Sequence, residues 1–188
     1  WSLKALLHQV ANANPPANAL IDTGALITGM SNYEVAKHLL AVGLKEMEGV
    51  VFLDEMDRKM ILLRSTGRVA ELSQCGVRRE KRFSFYDQVH TTGMDIPQVL
   101  NAQAIITLGK DMVFRDYAQG AFRMRGIGKG QKLSIYIIPE VKTLMDTMFA
   151  ASPGYTRQPT PDVADEDVEG NDPQPLIDVC AWLILNTM

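Results

Sequence analysis

The sequence predicts an α/β domain built around a mainly parallel sheet with helices on both faces. Short apolar segments rich in β-branched residues alternate with segments whose apolar residues recur at helical spacing, a pattern typical of doubly wound folds. With 188 residues, of which 46% are hydrophobic and 22% charged, the chain can bury one sizeable core. We therefore predict a three-layer architecture with active residues at the ends of the strands.

The first elements follow from helical periodicity and from the positions of prolines. Residues 1–18 are predicted as an N-terminal helix and a linker, because the apolar spacing of an amphipathic helix ends at two adjacent prolines. Ala19 to Thr23 is a short apolar segment and predicts a buried strand. Ser31 to Glu34 has the Ser-x-x-Glu spacing of a capping box, which predicts that a helix begins there.

The middle of the chain predicts two strands separated by a hairpin. Val50 to Leu53 is apolar and suits a buried strand, and Phe83 to Tyr86 predicts another. Met60 to Arg64 and Arg68 to Leu72 flank a Ser-Thr-Gly turn, which predicts an antiparallel hairpin. Asp54 to Asp57 has the DExD pattern of a metal-binding motif, but no GxxxxGKS or GxxxxGKT loop precedes it, so we interpret it as a surface turn.

The last part of the domain alternates strand and helix. Ala104 to Leu108 is a continuous apolar segment that predicts a buried parallel strand, and Leu133 to Ile138 predicts the final strand. Phe114 to Arg125 lacks proline and spaces its apolar residues as a helix does, and Val141 to Ala151 predicts a packing helix. Gly126 to Gly130 is glycine-rich but follows a helix, so we interpret it as a helix stop.

The composition changes after residue 151, which closes a domain predicted over residues 19–151. Residues 152–175 contain five prolines and six carboxylates and are predicted to be an acidic, flexible linker. Residues 176–188 predict an apolar helix that packs on this domain or begins the next. The formal net charge is −3, so the chain without the six linker carboxylates carries +3. That balance permits nucleic-acid binding but does not argue for it.

Cysteine content and the lack of long apolar segments indicate the compartment. Cys75 and Cys180 are too few for a disulfide framework and lack CxxC spacing. We expect a reducing, intracellular location in the cytoplasm or nucleus. No apolar segment approaches the ~20 residues that span a bilayer, so membrane insertion is not expected. The chain begins at Trp1 without a targeting signal, which indicates part of a longer protein.

The most informative motif extends from Phe83 to Gln131. After the strand comes His-Thr-Thr-Gly-Met-Asp (residues 90–95), then the strand at 104–108, then Gln-Gly-Ala-Phe-Arg-Met-Arg (residues 119–125). This order resembles the second RecA-like lobe of superfamily 2 helicases, and the resemblance implies a RecA-like or Rossmann-like sheet. It also implies cofactor contacts at Thr92, Gly93, Asp95 and Gln119, with Thr91, Thr92 and Gly93 forming the loop between the lobes.

The same resemblance implies that Arg123 and Arg125 face nucleotide phosphate, where a guanidinium stabilises transferring charge. The family places its second arginine seven residues after the glutamine, and that position is Gly126 here. One residue is about 100° of helical rotation, so a helix would point the two arginines in different directions. This departure from the family pattern argues against hydrolysis. We expect none by this chain alone, because the phosphate loop and the metal ligands would lie on another lobe. ATP and Mg²⁺ would need a first RecA-like lobe in the rest of the parent chain, which is the expected partner.

A longer resemblance covers nearly the whole chain. It depends on residues 19–25, 51–54, 85–95, 123–131 and 176–183. These segments resemble very large eukaryotic proteins that contain domains of unknown function and are commonly described as ubiquitinyl hydrolases. The resemblance implies a deubiquitinase assignment for the parent protein and ubiquitin as a partner.

Two alternatives stay open. In the first, Cys75 is a thiol nucleophile and His90 its base, with Asp87 or Asp95 orienting the ring, because a cysteine protease needs a thiolate beside an oriented histidine. Cys180 lies in an apolar segment and is predicted to serve packing. In the second alternative, the chain is a structural or partner-binding domain that kept the fold and lost the chemistry.

Overall fold

The computed structural model describes residues 1–152 and 174–187. Most of the predicted acidic linker, residues 152–175, therefore lies outside the described residues. The helices are α1 (Leu3–Ala11), α2 (Asn32–Val42), α3 (Phe114–Ala121), α4 (Pro139–Ala150) and α5 (Gln174–Leu185). The strands are β1 (Ala19–Ile21), β2 (Gly49–Leu53), β3 (Lys59–Leu63), β4 (Val69–Glu71), β5 (Arg82–Tyr86), β6 (Gln103–Thr107) and β7 (Lys132–Tyr136).

All seven strands form one sheet in the order β4-β3-β2-β5-β1-β6-β7. The pairings of β1 with β5 and β6, of β2 with β5, and of β6 with β7 are parallel. Only β3 is antiparallel to its neighbours β2 and β4. The predicted mainly parallel α/β sheet and the predicted hairpin are therefore confirmed.

Side chains alternate between the two faces of the sheet, as strand geometry requires. On one face α1 and α2 pack against strand residues such as Leu20 and Phe85. On the other face Ile21 and Ile106 pack with Met124, which follows α3. A third apolar cluster joins α4 and α5 to the chain that follows β6 and β7. No described helix exceeds 12 residues, and none is long and apolar enough to span a bilayer.

The helix predicted over Phe114 to Arg125 is shorter than expected, because α3 ends at Ala121. Arg123 N donates to Gly120 O at 3.0 Å and Met124 N donates to Ala121 O at 2.9 Å, so the chain tightens into a turn. This turn places the Met124 side chain in the core. Both arginines thus lie after the helix, and the prediction that helical rotation separates them does not apply.

A long connection covers the second face between β5 and β6. Tyr86 lies on that face, and its hydroxyl donates to Ile96 O at 3.2 Å and accepts from Ile96 N at 3.0 Å. The Gln98 side chain donates to Ser84 Oγ at 2.8 Å. Burial raises the pKa of Tyr86 to about 12. These contacts fix the connection to β5, and they determine where the loop residues with predicted functions lie.

Candidate functional site

The structure divides the predicted site residues among three cavities. The first lies at the carboxyl ends of the central parallel strands, and we call it the crevice. The second, the arginine pocket, lies beside the chain that leads into β6 and β7. The third lies beside the β2–β3 turn. The crevice includes Thr91 and Gln119, the arginine pocket includes Asp95, Arg123 and Arg125, and the third cavity includes His90.

The arginine pocket has a volume of about 370 Å³. Leu100 and Gln131 in its wall lie just before β6 and β7, respectively, so this side of the pocket is at the amino ends of those strands. The sequence predicted one nucleotide-facing group made of the loop and both arginines. In the structure Arg123 and Arg125 share a pocket with Asp95, whereas Gln119 lies in the crevice. Thr92 and Gly93 are exposed between Thr91 and Asp95 and line none of the three cavities.

Arg123 is a buried cation with one main-chain partner. Its side chain donates from Nη1 to Met94 O, and the residue is only 7% exposed. Its Nε has no hydrogen-bond partner among the described residues, and no ion pair joins it to a described carboxylate. Burying a charge without an opposite charge is costly. The positive charge of this guanidinium therefore favours an anion in the pocket that Arg123 lines.

Two more cations border the same pocket. Arg125 Nε lies 3.6 Å from Asp95 Oδ2, and both of these side chains are about half exposed. The Arg125 guanidinium also lies 5.1 Å from the centroid of the Phe122 ring. Lys129 is exposed at the rim. Three cations thus face one carboxylate, and an exposed ion pair of this kind is weak enough to be exchanged for a ligand.

The glycine-rich segment after α3 is held in place by Gln131. The Gln131 side chain accepts from Gly126 N at 2.7 Å and donates to Val99 O at 2.8 Å. A Cβ on Gly126 would lie 2.9 Å from Gln131 Cδ, so a side chain at that position would displace the glutamine. The segment forms a turn that leads into β7, but α3 already ends at Ala121, so the glycines do not stop the helix as predicted. The segment gives the arginine pocket a fixed wall.

His90 is buried and bonded to two carboxylates. Its Nδ1 lies 2.5 Å from Asp87 Oδ1 and its Nε2 lies 2.8 Å from Asp57 Oδ1. Burial lowers the pKa of His90, but the hydrogen bonds and charges of Asp57 and Asp87 outweigh burial and raise it above the ordinary value. Asn32 Nδ2 donates to Asp87 Oδ1 at 3.0 Å. The predicted partner Asp87 is present, whereas Asp57 was missed, although it belongs to the DExD segment.

Cys75 is half-buried and packs against the second face of the sheet. None of the described hydrogen bonds of His90 involves Cys75, and both ring nitrogens already face carboxylates. The structure therefore does not bring this predicted pair into hydrogen-bonding contact. Cys180 is half-buried on α5.

The crevice has a volume of about 470 Å³ and opens between the loops that follow β1 and β6. Its polar lining comes from both of these loops, from α3 and from the loop after β5. The polar residues are Thr23, Gln88, Thr91, Lys110, Asp111, Asp116 and Gln119. Thr91 and Gln119 were predicted as site residues, whereas Thr23, the last residue of one predicted strand, and Lys110, two residues after another, were not.

Within the described residues no group of three or more His, Cys, Asp or Glu side chains could hold a metal ion. The arginine pocket and the crevice both present charged and polar side chains to a cavity. Comparison with known proteins finds no family model, no curated protein and no solved structure that matches this chain.

Proposed function

We propose that this chain is a helicase C-terminal-lobe-like domain of a larger protein of the ubiquitinyl hydrolase type, and that its arginine pocket contacts the phosphates of a nucleotide presented by another lobe. The observation that supports this proposal best is the buried guanidinium of Arg123. It has a single carbonyl partner and an Nε without a partner among the described residues.

A phosphate group would satisfy this environment. Its oxygens accept several hydrogen bonds at once, and arginine presents donors in a planar fork that matches them. Arg125 and Lys129 add positive charge at the rim, and Asp95 can release Arg125 because their contact of 3.6 Å is long and exposed. A nucleotide phosphate would therefore gain three cationic contacts at this pocket.

The mainly parallel α/β sheet is compatible with a RecA-like or Rossmann-like lobe. In this proposal the other lobe supplies the phosphate loop and the Mg²⁺ ligands, and this domain supplies positive charge to the transferring group. The isolated chain then binds phosphate without hydrolysing nucleotide.

The test is a calorimetric titration of the chain with inorganic tripolyphosphate. Neutralising the exposed cations with Arg125→Gln and Lys129→Gln should weaken binding by about tenfold or more, because two charge-assisted contacts are lost. The matched control is Arg68→Gln, an exposed arginine in the β3–β4 turn whose side chain makes no described contact. Equal affinity in the double variant and the control would contradict the proposal, as would a lack of tripolyphosphate binding by the unaltered chain.

A separate proposal concerns the ubiquitinyl hydrolase assignment. We infer that its nucleophile is not Cys75, because both nitrogens of His90 are bonded to carboxylates. A ubiquitin-based suicide probe should label the larger protein equally with and without Cys75→Ser. Labelling that disappears in that variant would make Cys75 the nucleophile.

A further inference from the structure

The crevice lies where the strand connections diverge. β1 and β6 are parallel neighbours, with Ile21 opposite Ile106. The chain leaves β1 through α2 toward β2 on one side, and it leaves β6 through α3 toward β7 on the other. In open α/β sheets such a divergence separates the two loops and leaves a ligand-sized crevice outside the carboxyl ends of the strands. A volume of about 470 Å³ is in the range of small-molecule sites.

The floor of the crevice is made of backbone. A Cβ on Gly24 would lie 2.5 Å from Gly109 N, and a Cβ on Gly109 would lie 2.5 Å from Gly24 O. The two loops can approach this closely only because both positions are glycine. The result is a floor that exposes peptide groups in place of side chains.

A buried carboxylate holds the first loop in shape. Asp22 accepts hydrogen bonds from Leu26 N at 3.0 Å and Ile27 N at 2.9 Å. The Thr107 hydroxyl donates to Asp22 Oδ1 at 2.7 Å and accepts from Gly24 N at 3.0 Å, which ties the loop to the end of β6. Burial raises the pKa of Asp22 despite these bonds. The loop is therefore organised before any ligand arrives, which reduces the ordering cost of binding.

Several polar groups on the wall lack partners. The Thr23 hydroxyl oxygen is buried without a hydrogen bond in the described part of the chain, and Thr23 is only 8% exposed. None of the described hydrogen bonds involves the side-chain amides of Gln88 and Gln119. Buried polar groups are normally satisfied. Of these three groups the Thr23 hydroxyl is the buried one, whereas Gln88 and Gln119 are exposed, so their amides are open to a polar occupant of the crevice.

The charges of the crevice specify the kind of occupant. Asp111 and Asp116 contribute two carboxylates against the single cation Lys110, whereas the arginine pocket has three cations against one carboxylate. A phosphate is therefore disfavoured in the crevice. Carboxylates accept hydrogen bonds from vicinal hydroxyls, as acidic residues do when they bind ribose, and carboxamides can bond the edge of a base.

We propose that the crevice binds a ribonucleoside, with the carboxylates of Asp111 and Asp116 accepting from the sugar hydroxyls and the amides of Gln88 and Gln119 contacting the base. This site is independent of the arginine pocket, because it needs no phosphate and uses none of the same side chains. Nucleoside binding and tripolyphosphate binding are therefore affected by different substitutions.

The test is calorimetric titration of the chain with adenosine and uridine, with 2′-deoxyadenosine and with adenosine monophosphate. At least one of the two ribonucleosides should bind. If adenosine binds, 2′-deoxyadenosine should bind more weakly than adenosine. Adenosine monophosphate should bind no more tightly than adenosine. Gln119→Ala and Asp111→Asn should each weaken binding by about tenfold. Arg125→Gln with Lys129→Gln should leave nucleoside binding unchanged.

Gln74→Ala is the matched control, since Gln74 is exposed beyond β4 and bonds only Glu71 among the described side chains. Thermal unfolding of each variant should confirm that the fold is retained. The proposal is overturned by a lack of binding of both ribonucleosides, by equal affinity of Gln119→Ala and the control, or by a monophosphate that binds more tightly than its nucleoside.

Discussion

At the scale of single residues, His90 connects two parts of the chain that are distant in sequence. It bonds Asp87 in the loop after β5 and Asp57 in the turn between β2 and β3. Asp57 has a φ of 59°, the left-handed conformation that most side chains avoid. The bond to His90 helps to hold this turn in that conformation. His90 therefore acts as a clamp between the hairpin and the central sheet.

This clamp predicts that stability falls as pH rises above neutrality. The folded-state pKa of His90 is raised above its ordinary value of 6.5. Protonated His90 therefore contributes fully to the free energy of unfolding below pH 6.5, and this contribution is lost as pH rises through the folded-state pKa. Denaturant unfolding between pH 6 and 9 should show that the free energy of unfolding decreases less with pH in His90→Gln than in the unaltered chain. His8→Gln is the control, because His8 is exposed on α1. An identical pH dependence in all three chains would contradict the clamp.

At the scale of elements, the two ends of α2 are stabilised in different ways. The predicted capping box is confirmed at its beginning, where Ser31 N donates to Glu34 Oε2 at 2.7 Å and Glu34 N donates to Ser31 Oγ at 3.2 Å. At its end the Arg64 side chain, which follows β3, donates to four carbonyls. These acceptors are the carbonyl oxygens of Leu40, Gly43, Leu44 and Met47, at 2.8 to 2.9 Å. One guanidinium thus satisfies the carboxyl end of the helix and the turn after it.

Replacing Arg64 by lysine should destabilise the protein although the charge is kept. A lysine ammonium cannot reproduce the planar fork that bonds all four carbonyls, so we expect a loss of about 1.5 to 3 kcal/mol in the free energy of unfolding. Urea unfolding measures it, with Arg68→Lys as the matched control in the same hairpin. If Arg64→Lys lowers the free energy of unfolding by less than Arg68→Lys does, water replaces these hydrogen bonds at no cost.

At the scale of the whole molecule, α5 completes the core and supports the crevice. Trp182 is 1% exposed and packs in the third cluster with Val141 and Met145 of α4. Asn186 Nδ2 donates to Met112 O at 3.0 Å, in the loop that lines the crevice. The final helix therefore packs on this domain, which is one of the two outcomes that the sequence allowed.

Trp182→Ala should destabilise the whole domain by about 3 to 5 kcal/mol, because a large buried side chain is removed from a packed cluster. Trp1→Ala should cost far less, because Trp1 is 51% exposed. These are the only two tryptophans in the chain, so the fluorescence of the remaining tryptophan reports the unfolding of each single variant. Equal losses in the two variants would mean that α5 does not contribute to the core.

Much of the candidate site could not be predicted from local sequence. Thr91, Gln119, Asp95, Arg123 and Arg125 were singled out from one compound motif, yet the structure places them in two cavities. The reason is that the connection after β5 extends along the sheet, fixed by Tyr86, and carries Asp95 away from Thr91. Asp57 was missed because its partner His90 is remote in sequence, and Thr23 because the rest of the crevice wall is remote too, whereas spacing reports only near neighbours.

The sequence by itself determined the elements: seven strands, the hairpin, the beginning of α2 and the alternation that makes the fold α/β. These features depend on periodicity and caps within about ten residues, which local sequence encodes. Tertiary structure decided the strand order, the end of α3 and the partners of His90, Arg64 and Arg123. Those depend on which distant segments meet: β1 pairs with β5 and β6, more than sixty residues later, and burial of Met124 ends a helix that its own sequence would continue.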